Sequence, residues 1–419
     1  MIAHIDADSF FASVLVRQNP SLKGKPLLAL GMGGGCVIAA SYEAKAMGVK
    51  TGMRVKDALA LVPHALRLPS DFRETGLASQ QIESVLRETF PVAEQMSIDE
   101  WFVDLRMLPG GVPPARSLAS DVPPSTSLET FGRGVRSAVL RRTGLSVSVG
   151  IAPSKLLAKM ASEYRKPGGI TIVTPEGSCH FQFYISNFSF LKDRPAAAIP
   201  GIGPRRIAHC ESNGWLTAWD VAQAPTEELR KLFGRPGVEM QRELLGERVY
   251  PVREDTDPQQ SISRARSFPA SGSGDLLWAH MLRHLEYAVL KMRRMRQAAR
   301  GLSVWLRDAS YAYKSTHCPL PRPLETEETL QPFLRRCFKE LYEHNGKYTQ
   351  AGLALWKLTP GGTRQFSLFE DPQHVLREEN LQGSLDELHE RFGRNAVTRG
   401  SAMRVKSTTK KGLGMPIYE

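Results

Sequence analysis

Cysteine is scarce in this chain, and so is any sign of a membrane. Five cysteines in 419 residues, Cys36, Cys179, Cys210, Cys318 and Cys337, stand far apart with no C-x-x-C spacing. That scatter excludes a zinc ribbon and a disulfide framework, and it fits a reducing cytoplasm. No stretch approaches the ~18 consecutive apolar residues of a membrane span. No charged-then-apolar leader precedes the first strand, so a cytoplasmic, nucleoid-associated location is expected. Acid is the scarcer charge: 43 Asp and Glu against 55 Lys and Arg leave a formal +12. Such a surplus points to a polyanionic partner, nucleic acid before membrane; a basic surface that only keeps the chain dissolved is the plainer alternative. The rest is ordinary, with 42% hydrophobic and 23% charged residues supplying cores for several domains.

Against that basic background a few acids stand in apolar company. Residues 1–14, MIAHIDADSFFASV, open as a strand with Ile2, His4, Asp6 and Asp8 on one face and Ala3, Ile5 and Ala7 on the other, followed by a helix over 9–18. Residues 96–105, MSIDEWFVDL, read as a second strand carrying Asp99 and Glu100. Buried carboxylates need a neutralising partner. With no matching cluster of Arg, hard divalent cations answer best, and Mg²⁺ takes oxygen ligands in the company of phosphates. Acids that only end a strand and cap a turn fit the same fragments. From the two fragments alone both readings stand.

The remaining chain alternates strands and helices. A buried strand over 25–30 meets a glycine-rich run at 31–35, and a basic, glycine-broken stretch follows at 46–53. Helices are predicted over 55–62, 76–90 and 130–143, with a Pro- and Gly-rich excursion at 109–124. After a strand at 145–151, Ser154 caps a helix that carries Lys155 and Lys159 one turn apart. This pattern predicts an α+β sheet with helices on one side. Near residue 191 the composition shifts to an all-helical unit. There Pro200-Gly-Ile-Gly203 resembles a helix-hairpin-helix turn, in which Gly201 and Gly203 let backbone N–H groups approach a DNA phosphate; a plain helix-to-helix turn is the alternative. Residues 247–258 read as a linker. A separate α+β unit over 261–359 pairs strand residues Arg264 and Arg266 with a basic helix at 277–299, which predicts a groove tracking a phosphate backbone. Beyond residue 360, Gln365-Phe-Ser-Leu-Phe369 reads as a docking peptide in a polar tail.

Taken in order, five stretches resemble the motifs of the Y family of DNA polymerases, its bacterial polymerase IV branch nearest. They are Asp6 to Val14, Ser41-Tyr-Glu-Ala-Lys-Ala-Met-Gly-Val49, Met96-Ser-Ile-Asp-Glu100, Gly150 to Ser162, and Arg165-Lys-Pro-Gly-Gly169. The resemblance implies a multidomain α+β right hand: palm at 1–10 and 77–165, fingers at 11–76, thumb with a helix-hairpin-helix at 166–246, linker at 247–259, little finger at 260–358 and tail at 359–419. It implies a template-directed, low-fidelity translesion polymerase without a proofreading exonuclease. Asp6, Asp99 and Glu100, with the Ala7 carbonyl, would hold two Mg²⁺ ions. Asp8 would be structural support, Phe11 the steric gate against a 2′-hydroxyl, and Tyr42, Lys45 and Lys166 the triphosphate clamp. The expected partners are primer-template DNA, deoxynucleoside triphosphates and, through Gln365, Leu368 and Phe369, the sliding clamp, with the chain a monomer. Lys45 departs from the family's usual Arg and should grip phosphate at one point rather than two. Leu15 replaces an acid common at its position. Small Ala39 and Ala40 suggest a loose pocket around the templating base. A non-catalytic relative that only binds DNA and clamp would have lost the metal acids, which this chain keeps. A palm-fold cyclase would leave the basic C-terminal units unexplained.

Overall fold

The alternation at the start of the chain produces β1 (Ile2–Ala7), a strand with all six residues buried. The structure, a computed structural model, describes residues 1–31, 34–90, 92–107, 128–174, 184–253, 258–361, 372–393, 396–397 and 400. Cys179 and the docking pentad at 365–369 lie outside these. Two compact units divide the chain, Met1–Thr256 and Asp257–Glu419.

In the first unit β1 leads into α1 (Phe10–Gln18), and β2 (Leu27–Leu30), β3 (Val37–Ala40), α2 (Tyr42–Ala46), α3 (Val55–Leu61) and β4 (Leu66–Pro69) follow. The order β3-β2-β4 makes a small sheet whose core is Leu28, Val37, Ala40, Ala44, Val49 and Ala58. Asp71 then accepts the N–H groups of Arg73 and Glu74, so α4 (Phe72–Arg87) starts ahead of the predicted position and runs through Gly76. A six-stranded sheet forms next from β5 (Ala93–Ser97), β6 (Glu100–Asp104), β1, β7 (Val147–Ala152), β8 (Ile170–Thr174) and β9 (Tyr184–Ser186), in that spatial order.

Helices cover both faces of this sheet, not the single face predicted. Ala3, Ile5 and Ala7 pack with Ile82 and Val85 of α4 and with Val135 and Val139 of α5 (Leu128–Thr143). On the other face Ile2 packs with Leu157, Ala158 and Ala161 of α6 (Lys155–Tyr164). The reason is that β1 is apolar on one face and mixed on the other, and a strand with both faces buried needs a layer on each. The α6 layer is extended by α7 (Asn187–Lys192), α8 (Pro204–Ser212), α9 (Ala218–Gln223), α10 (Thr226–Phe233) and α11 (Arg235–Leu244), which share its core. Part of the stretch read as a linker is anchored here: Val252 is buried and the Arg253 N–H donates to Glu94 at 2.7 Å.

The second unit is an antiparallel sheet in the order β10 (Ser261–Ser271), β13 (Tyr348–Pro360), β11 (Gln297–Asp308), β12 (Tyr313–Leu324), with α12 (Gly274–Arg294) and α13 (Glu327–Leu341) sharing its core and α14 (Pro372–Phe392) following. The predicted helix over 277–299 stops early because Arg296, at φ 51, turns the chain into β11. β12 escaped prediction because its CPLPRPL run looks like a loop; prolines are tolerated there because the strand is an edge. Cross-strand pairs Gly301 with Trp356 and Trp305 with Gly352 use the missing Cβ, which on either glycine would lie 2.3 Å from the indole opposite.

One glycine decides the approach of α6. A Cβ on Gly150 of β7 would come within 2.1 Å of the Ala158 carbonyl oxygen and 2.2 Å of the Ser162 nitrogen, both backbone atoms that cannot swing aside. Gly150→Ala is therefore expected to cost about 3 kcal/mol or more, read as a lowered denaturant midpoint; an unchanged midpoint would contradict the close packing of helix on strand.

Candidate functional site

The run 96–105 is a hairpin and not one strand: β5 ends at Ser97, Ile98 and Asp99 form the turn, and β6 starts at Glu100. The register of β1 against β6 sets Asp6 opposite Glu100 and His4 opposite Phe102. His4, Asp6 and Glu100 each offer a ligand atom within 4.8 Å of the others. Asp99 stands beside them in the turn. Its carbonyl accepts the Ala7 N–H at 2.9 Å, and its carboxylate accepts the Ser97 hydroxyl at 2.5 Å. The structure thus brings Asp6 and Glu100 together and keeps Asp99 adjacent, with its carboxylate turned to Ser97.

Two lysines compensate these acids. Lys166 Nζ donates to Asp6 Oδ1 at 2.6 Å and also to Glu163, while Lys159 donates to Glu100 Oε2. Burial pushes the Asp6 carboxyl up to about 8, against the pull of Lys166. Burial works against the charged form of Lys166 too, but Asp6 and Glu163 outweigh it and raise its pKa. For Glu100, burial is outweighed by the Lys159 ammonium and the carboxyl is held below its usual range; His4, at 3.8 Å, is too distant for a hydrogen bond.

His4 was visible in the sequence on the Asp6 face, but nothing there marked it as part of the site. It is fully buried, and burial holds its pKa below the usual value. The Ser162 hydroxyl spends its one proton on the Lys159 carbonyl (2.8 Å), so toward His4 Nδ1 (2.7 Å) it must accept. The ring proton is then on Nδ1, and Nε2 carries a lone pair. Nε2 has no hydrogen-bond partner and lies 3.8 Å from Glu100 Oε2. An orphaned nitrogen lone pair beside two carboxylates suits a divalent cation. In the sequence Lys159 stands only as a basic position one turn from Lys155, Ser162 only as the end of a motif, and Glu163 is not singled out; none is given a part in the site there.

The residues read as a triphosphate clamp cluster at the end of β1. Tyr42 and Lys45 share α2, with Lys45 Nζ 4.7 Å from the Tyr42 ring centre and 2.8 Å from Ser9 Oγ. Burial, then Asp8, raises the Tyr42 phenol above its ordinary value. Burial, then Lys166, lowers Lys45. Phe11 is half-buried, with ring contacts to Phe10 at 5.9 Å and Phe72 at 5.8 Å. Asp8 does not share the strand face of Asp6, because β1 ends at Ala7 and Asp8 lies in the following turn. Gly201, at φ +95, and Gly203 form the turn ahead of α8, where Arg206 donates to the Gly201 carbonyl at 2.9 Å. In the second unit Arg264 lies 4.0 Å over the Tyr287 ring of α12, so Arg264 and Arg266 occupy the helix-facing side of edge strand β10.

Comparison with known proteins identifies the family. Residues 5–163 match the impB/mucB/samB family and residues 259–368 match the C-terminal domain of that family. DNA polymerase IV of Methanoculleus marisnigri is 32% identical over 385 residues, covering 88% of this chain and 98% of that protein. DNA polymerase IV of Moorella thermoacetica is 31% identical over 95% of each chain, and Protein ImpB of Salmonella typhimurium is 30% identical over 93% of this chain and 90% of its own length. A solved Y-family DNA polymerase chimera of Dbh and Dpo4 shares the fold, with a TM-score of 0.68 and 21% identity over 85% of this chain and 98% of that one. With matched domains at both ends and relatives matched over nearly their whole length, the chain belongs to the impB/mucB/samB family, as a DNA polymerase IV-like member of the Y family of DNA polymerases.

Proposed function

We propose that Asp6, Asp99 and Glu100, with the Ala7 carbonyl, hold two Mg²⁺ ions at the end of β1 and that the chain there extends a primer opposite damaged template. The chain is a DNA-directed DNA polymerase of low fidelity, of the translesion kind, and its chemistry is metal-dependent. The observation that carries the site assignment is the group of one buried and one half-buried carboxylate and an unpartnered buried imidazole nitrogen, held within 4.8 Å. When bound, the ions supply activation of the primer 3′-hydroxyl and neutralisation of the triphosphate and leaving pyrophosphate. The oxygen donors fit Mg²⁺, and His4 Nε2 would also suit a borderline ion such as Mn²⁺.

The chain's own side chains do the rest. Lys166 exchanges Asp6 for a phosphate oxygen, and Tyr42 and Lys45 on α2 take the other side of the triphosphate. A single ammonium at Lys45 grips less well than a guanidinium fork would. Phe11, wedged against Phe72, presents its ring where a 2′-hydroxyl would collide. Ala39 and Ala40, read as flanking the templating base, are both buried, Ala40 in the core of the small sheet, and do not carry that part of the reading. Gly201 and Gly203 offer backbone N–H groups, and Arg264 and Arg266 positive charge, to the DNA backbone without reading its sequence. The pentad at 365–369 would tether the monomeric enzyme to a sliding clamp and offset a weak grip on DNA by raising effective concentration. Such an enzyme works at the nucleoid.

Asp99→Ala and Glu100→Ala are each expected to lower Mg²⁺-dependent primer extension by about 10³-fold or more, with DNA affinity nearly unchanged; extension at the wild-type rate would refute the ligand assignment. Phe11→Ala should raise ribonucleotide insertion relative to deoxynucleotide insertion, and an unchanged ratio in competition assays would show that another residue is the gate. Deleting residues 365–369 should abolish stimulation by the sliding clamp while leaving clamp-free synthesis intact. Equal stimulation of the truncated enzyme would remove the docking role.

A further inference from the structure

We propose that the two-residue turn Asp8–Ser9 is the positioning element that holds the whole triphosphate clamp in register with the metal strand. The proposal rests on the reading of Tyr42, Lys45 and Lys166 as that clamp.

The Asp8 carboxylate is buried and fully occupied. Oδ2 accepts the Ser146 hydroxyl at 2.6 Å and the Gly168 N–H at 2.8 Å; Oδ1 accepts the Ser148 hydroxyl at 2.7 Å and the Tyr42 hydroxyl at 3.4 Å. A carboxylate has about four lone-pair sites, and all of them are taken. This explains how an acid two residues from Asp6 stays outside the His4–Asp6–Glu100 group. Its partners are neutral and fixed, and they come from three places: the entry to β7 with Ser146 just before the strand and Ser148 within it, α2, and the turn that carries Lys166 two residues before Gly168. The turn itself is held too, with the Asp8 N–H on the Ser146 carbonyl at 3.0 Å and the Ser13 hydroxyl on the Asp8 carbonyl at 2.6 Å.

Ser9 completes the set. Its backbone is left-handed, φ 46 and ψ 47, a conformation that glycine adopts freely and serine does not. It opens α1 yet makes no side-chain cap bond to the helix. The hydroxyl instead accepts Lys45 Nζ at 2.8 Å. Glycine would relieve the backbone but has no hydroxyl to offer, so the contact to Lys45 is what the serine contributes. Tyr42, Lys45 and the Lys166 turn, separated by more than a hundred residues of chain, therefore converge on the turn that directly follows the Asp6 strand. Any shift of β1 moves clamp and metal ligand together.

The test is single-nucleotide insertion by the full chain on primer-template DNA, reading kcat and the KM for the deoxynucleotide. Lys45→Ala, Tyr42→Phe and Lys166→Ala calibrate the clamp, and each should raise KM. Ser9→Gly should melt no lower than wild type, because the strained φ is relieved, yet raise KM about fivefold, the loss of one ordinary hydrogen bond, with kcat and DNA affinity little changed. Adding Ser9→Gly to Lys45→Ala should raise KM by less than the two effects combined, since the serine acts largely through that lysine. Asp8→Asn, which turns one acceptor oxygen into a donor, should raise KM at least about tenfold. If Asp8→Asn does not fold, the Ser9 and Lys45 cycle decides alone. An unchanged KM in Ser9→Gly while the calibrating variants respond overturns the positioning role and leaves the clamp standing. Unresponsive calibrating variants overturn both.

Discussion

A carboxylate at the end of a fully buried strand survives only if the protein replaces the solvation that water would have given it. Four acids around the end of β1 meet this demand in three ways. Asp6 and Glu100 are compensated by the ammonium groups of Lys166 and Lys159. Asp8 is compensated by four neutral donors. Asp99 stands in a turn and needs only the Ser97 hydroxyl. The manner of compensation sorts their roles. A mobile ammonium can be exchanged for another cation, so Asp6 and Glu100 stay available to a metal, whereas an acid saturated by fixed dipoles is locked into the scaffold.

The compensation in turn depends on how closely one helix approaches the sheet. α6 supplies Lys159, Ser162 and Glu163 and delivers the chain to Lys166, and it can lie against β7 only because Gly150 has no side chain. The same approach sets the tautomer of His4 through Ser162. A packing constraint on the strand next to β1 thus reaches the electrostatics of the site: were the helix further out, the two lysines would not meet their acids and His4 would lose the bond that aims its lone pair.

Much of this was legible in the linear chain, and the parts that were not have physical reasons. The alternation of β1, the acids at 6, 99 and 100, the helix capped by Ser154 and the change of character near residue 191 follow from local patterning. The hairpin at 96–105 did not, because Ile98 in its turn continues the apolar alternation and hides the reversal. β12 was hidden by prolines that only an edge position permits. Helices on both faces of the central sheet were not anticipated, since which face of a sheet a helix covers is set by tertiary packing and not by local pattern.

By itself the sequence determined the order of the motifs and the acids that could bind a metal, because these depend on residue type and near-neighbour spacing. Tertiary structure alone decided which groups meet: that Lys166 reaches Asp6 across 160 residues, that His4 joins Asp6 and Glu100 while the Asp99 carboxylate accepts the Ser97 hydroxyl, and that Asp8 is spoken for. The physical reason is that electrostatic and hydrogen-bonding partners are chosen by distance and desolvation in the packed state, and neither is written in local sequence.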